Sequence, residues 1–422
     1  MKVLTVENLI KSRERVQKFG EVFTPQWMVE KMLDELPQEF FSDLEQKFLE
    51  PAAGEGAFLI AILNRKLNFA DSPEKMLAAL KSLFAIELQP DNLSKTRENL
   101  QQIFLNHYEK NFGEPTEEIL SDVEKILENN LVEGDALHFF AEHQSLIKEK
   151  FLTLAAEDFS DAVIVSNPPY QEDSKNKNTQ QARPLYHHFV EQSKNLNPQN
   201  IVMITPSRWF AGGMGLDSFR NKMMQDKHIK TLVDFTNAKD CFPNNDISGG
   251  VCYFVWSKNY FGDCKFINVH NGKADEMIRP LDEFSVLVRY NKAIPIIRKV
   301  TGGTKNFLSE IISPISPFGL PTKIRGGEKK NNSDVKVFSS GGAGYLPRSE
   351  ILRGLEYLDR FKVLISQTGA EHAGEPGNDG KFRVLTSSMR VLKPNEVCTH
   401  SYLVEGFFDN DNEPKNLLRA CW

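Results

Sequence analysis

The stretch Glu50-Pro51-Ala52-Ala53-Gly54-Glu55-Gly56 stands between a short apolar run, Lys47–Glu50, and a segment of helical composition, Ala57–Leu63. Pro51 cannot continue a central strand, and Gly54 and Gly56 let the backbone turn sharply and approach a ligand closely. A strand, a glycine-bearing turn and a helix in that order form the unit of an open parallel sheet, whose ligands bind beyond the carboxyl ends of the strands. A dinucleotide fingerprint needs a third glycine where Leu59 stands, so a dinucleotide is disfavoured. Glu50, at the strand end, is placed to meet an ammonium group.

The same pattern repeats outward. Ser82–Leu88 is a second strand, followed by a helical segment, Pro90–Leu105. Glu87 closes that strand, where a carboxylate can accept both hydroxyls of a ribose. Gly134-Asp135-Ala136-Leu137 puts a third acid at a strand end, and Asp135 suits the amino group of an adenine. Each acid alone reads as a solvated loop residue; together they ask for a ligand with an amine, a ribose and an adenine. Asp161–Ser166, Asn200–Ile204, Thr231–Phe235 and Gly250–Trp256 add further strands.

Asp161–Ser166 stops at Asn167-Pro168-Pro169-Tyr170. The paired prolines hold an extended turn, so the Asn167 carboxamide oxygen and the Pro168 carbonyl can aim at one point beyond the sheet. Two acceptors there can hold an exocyclic amine. On a purine such an amine is a poor nucleophile, because its lone pair is delocalised, and accepting its protons favours a more reactive nitrogen. Tyr170 offers a flat face to the ring, and stacking worth about 1–3 kcal/mol offsets much of the cost of drawing a base from a duplex. A plain strand-terminating turn is the competing reading, which the company of the three acids disfavours.

Phe23-Thr24-Pro25, Glu50 to Gly56, Glu87, Gly134 to Leu137 and Asn167 to Tyr170, in that order, resemble the S-adenosylmethionine-dependent N6-adenine DNA methyltransferases of restriction-modification systems, in particular their gamma class. The likeness covers residues 15–260. It implies Thr24 and Pro25 beside the methionine end of S-adenosylmethionine, and Glu50, Pro51, Ala52, Gly54 and Gly56 as its main loop. It further implies Glu87 on the ribose, Asp135 and Ala136 at the adenine, and Asn167, Pro168, Pro169 and Tyr170 around a flipped target base. Phe242, in Cys241-Phe242-Pro243, matches a second aromatic against that base. The long interval between Gly56 and Glu87 departs from the family pattern.

The expected fold is α/β: a Rossmann-like methyltransferase domain at 1–260, with a mixed, mostly parallel sheet and helices on both faces, and a smaller mixed α+β target-recognition domain at 261–422. The texture changes after Lys258, in a window of 260–310, toward connectors rich in Gly, Pro and Ser. The C-terminus stops at Leu417-Leu418-Arg419-Ala420-Cys421-Trp422, which reads as a helix cut short.

With 51 Lys+Arg against 57 Asp+Glu and a net charge of -6, any contact with duplex DNA must come from a local patch. Candidates are Lys175 and Lys177 after the catalytic turn, Lys323, Arg325, Lys329 and Lys330 in the second half, and the cluster Lys11, Arg13, Arg15 and Lys18. Gln171–Gln181 reads as a lid, and Gln367–Asp379 as either a base-reading loop or a plain turn. Five cysteines, with no C-x-x-C pair, suggest neither disulfides nor a zinc site, and methyl transfer from a sulfonium needs no metal. The expectation is a cytoplasmic enzyme away from membranes, monomeric when acting, beside a separately encoded restriction endonuclease. Its rivals are an RNA or protein-glutamine N-methyltransferase and a catalytically silent DNA-binding specificity subunit.

Overall fold

The computed structural model describes residues 11, 15, 22–142, 159–172, 183–213, 215–243, 247, 249–270, 272–302, 310–328, 331, 334–367 and 389–420. Contacts divide the chain into two units, Met1–Ile294 and Pro295–Trp422.

The first unit is built on a nine-stranded sheet among the described residues, in the order β11-β10-β8-β9-β7-β4-β1-β2-β3. The strands are β1 (Phe48–Glu50), β2 (Leu83–Glu87), β3 (Leu131–Glu133), β4 (Val163–Ser166), β7 (Asn200–Pro206), β8 (Ile229–Phe235), β9 (Val251–Ser257), β10 (Cys264–His270) and β11 (Lys273–Arg279). β1 to β4, with β7, pair in parallel. β9 enters antiparallel between β7 and β8, and β11 returns antiparallel on β10. The sheet is therefore mixed and mostly parallel, as expected. β5 (Gln171–Glu172) and β6 (Arg183–Pro184) form a separate small hairpin.

Side chains alternate between two cores, because successive residues of a strand face opposite sides. Phe48, Leu83, Ala85, Val163, Val202 and Val233 face one core. Leu49, Phe84, Ile164, Met203 and Leu232 face the other. On the first side lie α1 (Gln26–Leu33), α3 (Ala57–Leu67), α4 (Pro73–Lys81), α5 (Pro90–Phe112) and α6 (Glu117–Asn130), with the single turn α2 (Glu39–Ser42). On the second lie α7 (Ala136–Glu142), α8 (Tyr186–Asn195) and α9 (Asp217–Gln225). The long interval between Gly56 and Glu87 is two helices, α3 and α4. Ser72 caps α4 by accepting from the Lys75 N–H, with Pro73 in its first turn. Lys66 on α3 is fully buried and donates to the carbonyls of Asp43, Leu44 and Gln46 and to Ser82 Oγ, which fixes the approaches to β1 and β2.

The second unit begins in α10 (Ala293–Thr301) and holds its own core around Phe318, Leu320, Val337, Leu346, Leu364 and Val404. One three-stranded sheet joins β13 (Gly342–Pro347), β12 (Asp334–Ser339) and β16 (Glu396–Cys398). A second joins β15 (Arg390–Leu392), β14 (Phe361–Ser366) and β17 (Tyr402–Phe408). Among the described residues the unit also holds the helices α11 (Leu355–Leu358) and α12 (Asn412–Ala420). The division falls at Ile294, inside the 260–310 window but beyond residue 260, because β10 pairs in parallel with β8 and extends the first sheet. Among the described residues no helix is long and apolar enough to cross a membrane.

Candidate active site

Strand order reverses at β1: the chain runs from β1 to β2 and β3 on one side, then crosses to β4 on the other. Crevices open beyond the carboxyl ends at such a point. Glu50 ends β1 there, 2% exposed, and its Oε2 has no hydrogen-bond partner among the described residues. Burial raises its pKa well above the ordinary carboxylate value; the neighbouring Glu87 adds to the rise and a backbone hydrogen bond from Leu59 opposes it. A buried, half-unpaired carboxylate is costly unless a cation or donor meets it, and an ammonium fits that need.

The turn after Glu50 is fixed by its glycines and by α5. Gly54 and Gly56 have φ of 56° and 85°. A Cβ at Gly56 would lie 2.8 Å from Thr96 Cγ2. Thr96 in turn donates to the Gly54 carbonyl at 2.9 Å, and Asn99 Nδ2 donates to the Glu55 carbonyl at 3.1 Å. Glu87 accepts the Gly54 N–H on Oε2 at 2.7 Å and, on Oε1, the Gln89 N–H at 2.8 Å and Asn92 Nδ2 at 3.4 Å. An ionised carboxylate offers about four lone-pair sites in all, so a ribose hydroxyl would have to share Glu87 with these donors. Asp135 is exposed and accepts the Leu137 N–H on Oδ1 at 2.9 Å, capping α7. Its structural duty to that helix was not apparent from the residue alone.

The segment before α1 reaches both halves of the crevice. Phe23 lies against the Gly54 turn, since its ring carbons stand 3.2 and 3.3 Å from where a Cβ would sit. Thr24 and Pro25 are buried, and the Pro25 carbonyl accepts from the N–H groups of Met28 and Val29 to start the helix. Asn167 Nδ2 donates to the Val22 carbonyl at 2.9 Å, and Asn167 Oδ1 is buried without a partner among the described residues. The carboxamide is thereby oriented with its acceptor unused.

Tyr170 is half-buried against the first core, and its hydroxyl is buried and unpartnered among the described residues. Burial first, then Cys241 and Cys252, push its pKa well above the usual phenol value. Its carbonyl accepts the Leu185 N–H at 3.1 Å, next to the β5–β6 hairpin. Phe242 is 0% exposed, a core residue in this structure, so a base reaches it only if the 241–243 turn rearranges.

The basic candidates separate. Lys11 Nζ lies 2.9 Å from both Glu55 and Asp91, and Arg15 meets Asp91 at 2.7 Å. Those two cations clasp the rim of the glycine turn. Lys323 and Arg325 are exposed in the second unit, where Arg325 donates to the carbonyls of Thr322 and Ile324. Arg13, Lys18, Lys175, Lys177, Lys329 and Lys330 lie outside the described residues, as do most of 171–181 and 367–379.

Residues 69–242 match the family model of the Eco57I restriction-modification methylase, a span that holds Glu87, Asp135 and the Asn167–Tyr170 turn. An uncharacterized adenine-specific methylase of Mycoplasma pneumoniae (strain ATCC 29342 / M129 / Subtype 1) is 27% identical over 328 residues, 66% of this chain and 77% of that protein. This chain is similar to an adenine-specific methylase and, over 69–242, to a restriction-modification methylase family. Two of the solved structures that match share the fold of this chain. The Type IIL restriction-modification enzyme MmeI, in complex with DNA, matches with a TM-score of 0.52 at 10% identity, over 97% of this chain and 65% of that one. A nuclease-deletion mutant of the Type ISP restriction-modification enzyme LlaGI, in complex with a DNA substrate mimic, gives 0.55 at 11% identity, over 92% of this chain and 42% of that one. The chain spans less than two thirds of either solved protein. A methylase of this kind works with a methyl donor.

Proposed function

We propose that the chain transfers a methyl group from S-adenosylmethionine to the N6 amine of an adenine turned out of duplex DNA, as the modification activity of a restriction-modification system. The observation that carries the reading is Asn167, whose amide nitrogen is committed to the Val22 carbonyl while its oxygen is buried and unpaired. S-adenosylmethionine supplies a methyl on a sulfonium; transfer breaks the methyl–sulfur bond, forms the methyl–N6 bond and releases one N6 proton.

The chain's residues arrange that event. Glu50 meets the ammonium of the donor's methionine part, Gly54 and Gly56 let the main chain lie against it, and Glu87 takes the ribose hydroxyls. Asp135 offers Oδ2 to the donor's adenine while Oδ1 caps α7. Thr24 and Pro25 close the methionine end. Across the switch point, Asn167 Oδ1 and the Pro168 carbonyl accept the two protons of the target amine, Pro169 stiffens the turn and Tyr170 stacks on the ring. Holding both reactants in register removes much of the entropic barrier.

The test is Asn167→Ala. Methyl incorporation into DNA should fall by about 100-fold or more, in the range for loss of a group that handles a reacting proton, with donor affinity kept within about twofold. Turnover near wild type would remove Asn167 from the amine site.

A further inference from the structure

Of the three tryptophans whose surroundings are described, Trp209 and Trp256 are 0% and 7% exposed, whereas Trp27 is 48% exposed. Trp27 is the second residue of α1, just past Thr24 and Pro25. Its ring stands edge-on to Phe235, with centroids 6.4 Å apart, so one edge is fixed while much of the ring faces outward. The helix beneath is rigidly placed: Met28, Val29, Met32 and Leu33 are buried, and the Tyr253 hydroxyl donates to Glu35 at 3.0 Å.

Strand register places this ring on the catalytic edge. Phe235 is the last residue of β8 and pairs with Val251, which pairs with Pro206 at the end of β7. β7 pairs with β4, which ends beside Asn167. Three strand spacings separate β8 from β4, about 14 Å, or roughly four nucleotides of a stacked strand.

The surroundings carry both signs, since Asp240 and Asp234 act on Cys241 as well as Lys31. Lys31 lies one turn along α1 and is exposed, close enough to act electrostatically on Cys241, and Lys239 is exposed in the turn after β8. The acids of that helix face elsewhere, Glu30 and Asp34 both being paired with Arg65. An outward aromatic ring is a platform on which an unstacked base can lie, and bases beside a flipped adenine lose a stacking neighbour.

We propose that Trp27 is a substrate-contacting residue whose ring stacks on a nucleobase of the DNA within a few nucleotides of the adenine held by Asn167. This deepens the proposed function and rests on it. Such stacking corresponds to roughly a 5- to 150-fold effect on affinity.

The experiment uses the full chain and short fragments of unmethylated plasmid duplex. Acrylamide should quench a component of tryptophan emission that Trp27→Phe removes, and saturating duplex should shield that component. Trp27→Ala should raise the KM for DNA about tenfold or more, with kcat and donor affinity within twofold, while Trp27→Phe stays near wild type. Unchanged acrylamide access at saturating DNA overturns the proposal on the wild-type protein alone, whatever the folding of the variants. Shielding that grows with protein concentration without DNA also overturns it, assigning the ring to a second copy. Failure of the underlying reading looks different, as a wild-type chain that incorporates no methyl into any duplex.

Discussion

Glu50 is a carboxylate buried with one oxygen unpaired and Glu87 beside it. The folded, donor-free protein therefore favours the protonated acid. Below the ordinary Glu pKa both folded and unfolded chains carry the proton, and Glu50 adds no pH dependence. As pH rises above that value the unfolded chain loses its proton first, so stability falls until the raised folded pKa is passed. The Tm of the donor-free protein should decline over that window, and Glu50→Gln should flatten the decline. Saturating S-adenosylmethionine, by meeting the ionised form, should flatten it as well. Thermal melts from pH 5 to 8 check all three; a slope equal in wild type and variant would free Glu50 of this role. The strand-end positions of Glu50, Glu87 and Asn167 were legible in the sequence because the apolar runs before them stop at or shortly before a Pro. That Asn167 is aimed by Val22, and that Phe242 is enclosed, was not, since both depend on neighbours remote in the chain.

In the proposed function the glycine turn and α7 serve ligand and fold together. Gly56→Ala forces a side chain into a φ of 85° and against Thr96. We expect about 1–3 kcal/mol of lost stability and a weaker hold on the donor, read by urea denaturation and calorimetry. Asp135 separates its two duties by substitution. Asp135→Asn keeps an oxygen to cap α7 but presents an NH2 where Oδ2 stood, so stability should hold within about 0.5 kcal/mol while donor affinity falls. Asp135→Ala should lose about 1 kcal/mol of stability as well. Equal donor affinity in wild type and Asp135→Asn would leave Asp135 as a helix cap alone. The strand and helix positions were readable because alternation, Pro and Gly are local signals. The clasp of Lys11 and Arg15 on Asp91 was not: the basic cluster reads as a DNA patch until the fold brings Asp91, 80 residues from Lys11, beneath it.

Over the whole molecule, two units with separate cores imply separable duties. Every residue assigned to the donor lies in the first unit. A chain ending at residue 302, which keeps α10 entire, should bind S-adenosylmethionine within about threefold of the full chain and lose sequence-selective binding to duplex DNA. Calorimetry and competition with unrelated duplex check this; retained selectivity would move recognition into the first unit. The α/β class and the change of texture past Lys258 were visible in the sequence. The antiparallel insertion of β9 between β7 and β8, and the extension of the sheet by β10 and β11, were not, because strand order is a property of long-range pairing.

The central claim is that the amine held at Asn167 belongs to adenine in duplex DNA. Incubating the protein with methyl-labelled S-adenosylmethionine and unmethylated duplex, then digesting to nucleosides and separating them, tests it most directly. The label should appear in N6-methyldeoxyadenosine and nearly vanish with Asn167→Ala. Label in methylated cytosine, in RNA or in protein offered in parallel, or no transfer from a protein that binds the donor, would contradict the account.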